Sequence, residues 1–310
     1  MRLVVIGLGI QGRRRVAMAA DDVVATVDPI VPEARHRDIR HVPLASFDAA
    51  CVCTPDQVKV ELVRYLLSHG KHVLVEKPLL ADDADDLEGL AALARSAGVA
   101  CYTAYNHRFE PHVVRLKDVL ASGVLGRVFC ARLFYGNGTA RDVQASPWRD
   151  QGLGVLSDLG SHLLDMASLL FGQPEGRLEA WGLHCFENRA FDHALFGTAA
   201  QSPALQCEAS LVCWRNTFTV DVLGEFGSAH VDGLCKWGRS TLTVRARVLP
   251  SGRPAEHVQT VEGPDPTWQA EYRHFKERCR TGGTTIDHDM WINRVLTTLA
   301  HAWAETTLRR

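Results

Sequence analysis

Apolar and polar positions change their period partway along the chain. Over roughly the first hundred residues, short β-branched runs at 2–6, 23–27, 49–53, 72–76 and 99–104 read as strands. Between them, 9–20, 56–69 and 83–97 carry helical stripes, such as Val60, Val63, Leu66 and Leu67. Gly70 and Gly98 stand where helix C-terminal glycines belong. Strands alternating with helices predict parallel βαβ units in a doubly wound α/β sheet. After about residue 112 the pattern changes. A helix at 113–120, a strand at 127–135 and a Gly/Ser/Pro-rich loop at 136–154 precede an apolar-faced helix at 156–171. Stretches 178–186, 205–214, 217–223, 242–249 and 256–261 alternate as half-exposed strands, and 267–280 and 289–308 are helical. The expected architecture is an N-terminal doubly wound domain over 1–112, followed by an α+β domain over 113–310. The second domain carries a large, mostly antiparallel open sheet. The last helices are free to pack back on the first domain.

Gly7-Leu8-Gly9-Ile10-Gln11-Gly12 joins the first strand to the first helix and fits G-x-G-x-x-G. In a Rossmann unit the first glycine makes a tight turn and the second admits a pyrophosphate against the backbone. The third lets helix and strand pack closely. The helix N-terminus adds free N–H groups and a positive dipole end. The second strand ends at Asp28, at close to the ~20-residue distance expected of a carboxylate that binds the adenosine ribose and repels a 2′-phosphate. That favours NAD over NADP. Arg13-Arg14-Arg15 read either as a solvated helix face or as partners of a 2′-phosphate.

Composition narrows the classes. The 310 residues carry 34 Lys+Arg against 36 Asp+Glu, without the basic excess of nucleic-acid binders. No apolar run reaches the ~20 residues that span a bilayer. Residues 1–6 read as a strand and not as a leader, which suits a cytoplasmic protein. The nine cysteines are scattered without a C-x-x-C pair, as for buried, reduced thiols. No spacing argues for a metal; Asp287-His288-Asp289 reads as the N-cap of the last helix.

His72-Val73-Leu74-Val75-Glu76-Lys77-Pro78-Leu79 places Lys77 at the C-terminal edge of a parallel strand, where such sheets bind ligands. With the glycine loop, this segment resembles the Glu-Lys-Pro motif of the glucose-fructose oxidoreductase/inositol dehydrogenase/MocA (Gfo/Idh/MocA) family. Cys51-Val52-Cys53-Thr54-Pro55 resembles the family's strand ending in Thr-Pro. Tyr105-Asn106-His107-Arg108-Phe109 and Asp158-Leu159-Gly160-Ser161-His162-Leu163-Leu164-Asp165 resemble two further family segments in the same order. Two departures stand out: Lys59 occupies the place of a frequent histidine, and the glycine run before Asp158 is reduced to Gly152-Leu153-Gly154.

The resemblance implies an NAD(P)-dependent oxidoreductase acting on a secondary alcohol or ketone of a sugar, cyclitol or nucleotide sugar. It assigns catalysis to Lys77, Asp158 and His162, and substrate binding to Asn106, Arg108 and Asp165; Trp148 in the long loop is a further candidate. Cofactor contacts fall to Gly7, Gly9, Ile10, Gln11, Gly12, Asp28, Thr54, Pro55, Glu76 and Lys77. It implies a homodimer or homotetramer formed through the C-terminal sheet. It also leaves room for redox-neutral chemistry on tightly held NAD, and the glycine loop alone would suit a dinucleotide-binding sensor without activity. Histidine suits the proton transfer. Helical spacing puts Asp158, His162 and Asp165 on one face, where a carboxylate can select the imidazole tautomer. His107 is a pocket candidate.

Overall fold

The computed structural model describes residues 1–81, 83–174, 176–198 and 203–308. The chain divides into two compact units, Met1–Asn106 with Trp268–Asn293, and His107–Thr267 with Arg294–Arg310.

The first unit holds a five-stranded parallel sheet of β1 (Leu3–Ile6), β2 (Val23–Val27), β3 (Ala49–Val52), β4 (His72–Glu76) and β5 (Cys101–Ala104), in the order β2-β1-β3-β4-β5. Helices α1 (Ile10–Ala19), α2 (Asp56–Ser68) and α3 (Ala84–Ala97) connect the strands. All four residues of β1 are buried, because both sheet faces are covered. Val4 and Ile6 point into a cluster with Leu66 and Leu90 of α2 and α3. Leu3 and Val5 point the other way, into a cluster with Ala19, Tyr272 and Phe275. The last two come from α7 (Thr267–Thr281), so residues far along the chain complete this core. Strand order reverses between β1 and β3, and the C-terminal ends of these two strands therefore flank the switch point where such sheets bind ligands.

The second unit is built on an eight-stranded sheet, β6 (Val128–Gly136), β7 (Glu179–His184), β8 (His193–Thr198), β9 (Ala204–Ser210), β10 (Thr217–Gly224), β11 (Gly227–Asp232), β12 (Ser240–Ala246) and β13 (Glu256–Val261). Its order is β13-β12-β11-β10-β6-β9-β8-β7, antiparallel except for the β6–β9 pair. In β10 the side chains alternate buried and half-buried, so one face is covered and the other open. Helices α4 (Pro111–Ala121) and α6 (Ser161–Phe171) pack on the sheet. α5 (Ala140–Gln144) interrupts the stretch expected to be a plain loop.

Strands β8 and β11 are absent from the sequence-based expectation. Gly227-Ser228-Ala229-His230-Val231-Asp232 has little intrinsic strand preference. It becomes a strand because β10 and β12 pair with it on both sides. The last helix, α8 (Ile286–Leu308), begins three residues before the expected start; the backbone N–H of Ile286 donates to Thr284 Oγ1. Asp287 and Asp289 therefore lie within the first turn and do not cap it. Asp287 faces Arg95, and Asp289 accepts a hydrogen bond from Thr103 Oγ1 at 2.7 Å. All nine cysteines are free, and burial pushes the Cys51 thiol up to about 12. Cys185 departs from the expected burial and is exposed.

Candidate functional site

In the first unit the glycine loop follows β1 and opens α1. Gly7 has φ +87°, and a Cβ there would lie 2.4 Å from the Cys53 carbonyl oxygen. A Cβ on Gly12 would lie 1.7 Å from the Gly7 carbonyl oxygen. The protein's own packing therefore demands both glycines. Gly9 is different: it has an ordinary φ of −65°, and a Cβ there would meet nothing within 4 Å. No internal contact explains its lack of a side chain, whereas close approach of a pyrophosphate does. Gly9 is also the N-cap of α1 and makes no side-chain cap, which leaves the helix N–H groups for an anion. Ile10 beside it is exposed, as is Gln11. Thr54, after β3, lies against the loop and has a buried hydroxyl without a hydrogen-bond partner among the described residues. Pro55 is the N-cap of α2. An open backbone, an uncapped helix start and an unmatched hydroxyl fit a dinucleotide.

Asp28 has a structural task in addition to the cofactor contact expected of it. Its Oδ2 accepts the Leu8 N–H at 2.8 Å, and its Oδ1 accepts the Ile30 and Val31 N–H groups at 2.9 Å. Burial works to raise its pKa, but the N–H donors of Val31, Leu8 and Ile30 outweigh it and hold the carboxyl below its usual range. Asp28 thus braces the glycine loop from below. Glu76 is likewise engaged: Arg15 Nε donates to it at 2.7 Å, and Arg15 Nη2 lies 2.7 Å from Glu271. Arg15 is 1% exposed and stacks over the Trp268 ring, which corrects the reading of all three arginines as a solvated face.

Lys77 follows β4, and the Lys77–Pro78 peptide is cis. The residue in place of the frequent histidine, Lys59, is 3% exposed and donates to the Pro78 carbonyl at 3.0 Å and to Asp56 at 2.7 Å. It ties α2 to the backbone beside Lys77. Asn106 is half-buried at the start of the turn Asn106–Phe109.

The second unit gathers the remaining candidates around α6. The backbone before that helix, Leu156–Gly160, is a π-helical turn that carries Asp158 directly into Ser161–Phe171. Such turns often mark functional positions. His162 is 6% exposed, and its Nδ1 lies 3.0 Å from Nδ1 of His107, itself 2% exposed. His107 Nε2 is 3.3 Å from Lys236 Nζ, which also donates to Tyr135 Oη at 2.8 Å. The Lys236 ammonium sits over the Tyr135 and Trp237 rings. Burial, and after it the charge of Asp158, hold the Tyr135 phenol well above its ordinary range. Asp158 faces Arg149 at 3.7 Å. Arg108 Nε donates to both oxygens of Asp165 at 2.9 Å, so these two expected substrate residues grip each other. Trp148 is exposed on its loop. Lys236 and Tyr135 were missed from sequence. Lys236 lies in a short 3-10 turn, Cys235–Trp237, with no motif around it, and only the fold brings it to His107.

These features define a Rossmann dinucleotide-binding unit followed by an open-sheet unit with an imidazole cluster. Residues 1–105 match the family described as "Oxidoreductase family, NAD-binding Rossmann fold", and residues 113–230 match "GFO/IDH/MocA C-terminal domain". The chain belongs to the Gfo/Idh/MocA family and carries its NAD(P)-binding Rossmann domain. It is similar to the uncharacterized oxidoreductase YdgJ of Escherichia coli, at 36% identity over 132 residues, or 42% of this chain and 37% of YdgJ. It is also similar to the scyllo-inositol 2-dehydrogenase (NADP(+)) IolW of Bacillus subtilis, at 32% identity over 133 residues, or 42% of this chain and 35% of IolW. The matched stretches thus span little more than a third of these relatives' own lengths. Levoglucosan dehydrogenase in complex with NADH shares the fold, with a TM-score of 0.82 at 20% identity over 98% of this chain and 97% of that one. No helix among the described residues is long and apolar enough to cross a membrane.

Proposed function

We propose that the protein is an NAD-dependent oxidoreductase that interconverts a secondary alcohol and a ketone on a sugar, cyclitol or nucleotide sugar. The observation that carries this reading is Gly9, a glycine that no internal packing requires, at an uncapped helix start. Gly7 through Gly12, Thr54 and Pro55 would hold the dinucleotide. When bound, its nicotinamide accepts or gives the hydride. His162 moves the hydroxyl proton, Lys77 donates a hydrogen bond to the reacting oxygen and stabilises its developing charge, and Asp158 orients and tunes the system. The Arg108–Asp165 pair offers a fixed carboxylate edge to substrate hydroxyls, with Asn106 and Trp148 as further contacts.

The preference for NAD rests on charge. Asp28 keeps a carboxylate under the loop. Two of the nearby cations are also engaged, Arg15 by Glu76 and Arg37 by the carbonyls of Asp28 and Val31, whereas Arg13 and Arg14 are exposed. The scyllo-inositol and levoglucosan dehydrogenases among the similar proteins support a polyol substrate. The open face of the eight-stranded sheet, with Phe134, Leu223 and Val258 beside Asp221 and His230, is the surface for assembly into a homodimer or homotetramer.

The test is a spectrophotometric panel of inositols, aldoses and their keto forms with NAD(H) and NADP(H), repeated on Lys77→Ala and His162→Ala. Turnover with NAD(H) that both variants lose supports the reading. Near-native turnover in both would remove the assigned roles, and much tighter NADPH binding would reverse the cofactor preference.

A further inference from the structure

A buried cation grips the turn that follows β4. We propose that Lys59 is a positioning residue for Lys77: it fixes the backbone that carries the Lys77 ammonium, and so sets where that ammonium meets the reacting oxygen. The inference rests on the role proposed above for Lys77 and adds the group that holds it in place.

Lys59 stands where a lysine is unfavourable. The buried residues of α2 are Lys59, Val63, Leu66 and Leu67. Helical spacing puts them on one stripe, and the last three belong to the hydrophobic cluster beneath the sheet. Lys59 is thus the polar head of an apolar stripe. It is 3% exposed, so its ammonium has given up its water. It also lies in the first turn of the helix, where the positive dipole end repels a cation. Only its contacts offset these costs. Nζ donates to Asp56 Oδ1 at 2.7 Å, to the Pro78 carbonyl at 3.0 Å and to the Lys77 carbonyl at 3.4 Å. An ammonium has three donors, and these acceptors occupy all three. Asp56 balances the charge from the solvent side, its side chain 47% exposed. The other two acceptors are the backbone of Lys77 and of its neighbour.

The segment needs such a grip. Pairing with β3 ends at Val75 and pairing with β5 ends at Glu76, and residues 77–81 belong to no strand or helix. Leu79 anchors the stretch in the core at 1% exposure, and the Ala81 carbonyl accepts from Asn293 Nδ2 at 2.9 Å. Both anchors lie beyond Lys77 in the chain, whereas Lys59 grips Lys77 and Pro78 themselves. An apolar residue at 59 would complete the stripe without burying a charge, but it could not bind the two carbonyls. Lys77 acts by aiming an N–H at developing negative charge, and such a donor is effective only in its fixed place.

A double-mutant cycle tests the coupling. Lys59→Met keeps the length and apolar body of the side chain and removes its donors. It should lower kcat by about 10–100-fold and leave the KM for dinucleotide near native. In a Lys77→Ala background the same change should cause no further loss of kcat. Lys59→Arg, which keeps a cationic donor, should recover part of what Lys59→Met loses. Amide hydrogen exchange read by mass spectrometry follows the grip without a substrate. In Lys59→Met, exchange over residues 77–81 should quicken by about tenfold or more while β1 and α3 keep their native rates. Should Lys59→Met fail to fold, Lys59→Gln, a neutral and shorter donor, takes its place in both measurements. Equal losses of kcat with and without Lys77 would overturn the proposal, because Lys59 would then serve the fold and not Lys77. Unchanged exchange over 77–81 would overturn it as well. If no sugar or cyclitol turns over, the function proposed above fails, while the exchange experiment still decides whether Lys59 holds the segment.

Discussion

The glycine loop and the imidazole cluster are built in opposite ways. The loop is nearly continuous in sequence. Its conformation is set by backbone groups: the Gly7 N–H donates to Val27, and Leu8 to Asp28. The cluster draws His107 from one turn, Tyr135 from β6, His162 from α6 and Lys236 from another turn. A binding surface for a backbone-like phosphate chain can be written locally, since main-chain N–H groups do the work. A proton-handling site cannot, since it needs different side chains at fixed distances.

This contrast can be broken most sharply at His162. Changing His162→Ala should lower turnover by about 10²–10⁴-fold while dinucleotide affinity, measured by calorimetry, stays near native. Parallel loss of both would mean that loop and cluster are one functional piece. In the first unit, Arg15→Ala should destabilise by about 3–5 kcal/mol in denaturant unfolding, because it leaves the buried Glu271 and the half-buried Glu76 without their cation. A change below about 1 kcal/mol would show that water reaches that pair.

Asp28→Asn should cost about 1–3 kcal/mol at neutral pH through the loop N–H groups it serves. The folded carboxyl lies below its unfolded value of about 3.9, so its stabilisation is present above that pH and is lost as pH falls through the folded value. The asparagine variant should accordingly show a flatter acid limb in a stability–pH series. Smallest in stability is Gly9→Ala, expected to change unfolding by under about 1 kcal/mol. Its effect belongs instead to dinucleotide binding, where each ~1.4 kcal/mol of lost contact weakens affinity tenfold. Unchanged affinity would remove the meaning attached to the open space above that residue.

Much of the first unit was legible because its elements are buried on both faces and strongly patterned. The strand 72–76 and the two helices ending before Gly70 and Gly98 match the observed elements within a residue. β11 was not legible, since its residues are strand only in the company of β10 and β12. Asp28 and Glu76 stand at the ends of β2 and β4, as the strand pattern expects. What each carboxylate touches depended on the third dimension: the Leu8 amide in one case, Arg15 in the other.

By itself the sequence determined the phosphate loop, the order of strand and helix around it, and the family motifs. These depend on spacing along one chain direction and on backbone geometry. Only the tertiary structure decided that Arg15 is a buried cation, that Lys59 braces the turn at Lys77 and Pro78, and that His107 and Lys236 stand behind His162. Partners so distant in sequence leave no periodic trace. Their pairing is selected by burial, which makes each polar group costly until another segment satisfies it.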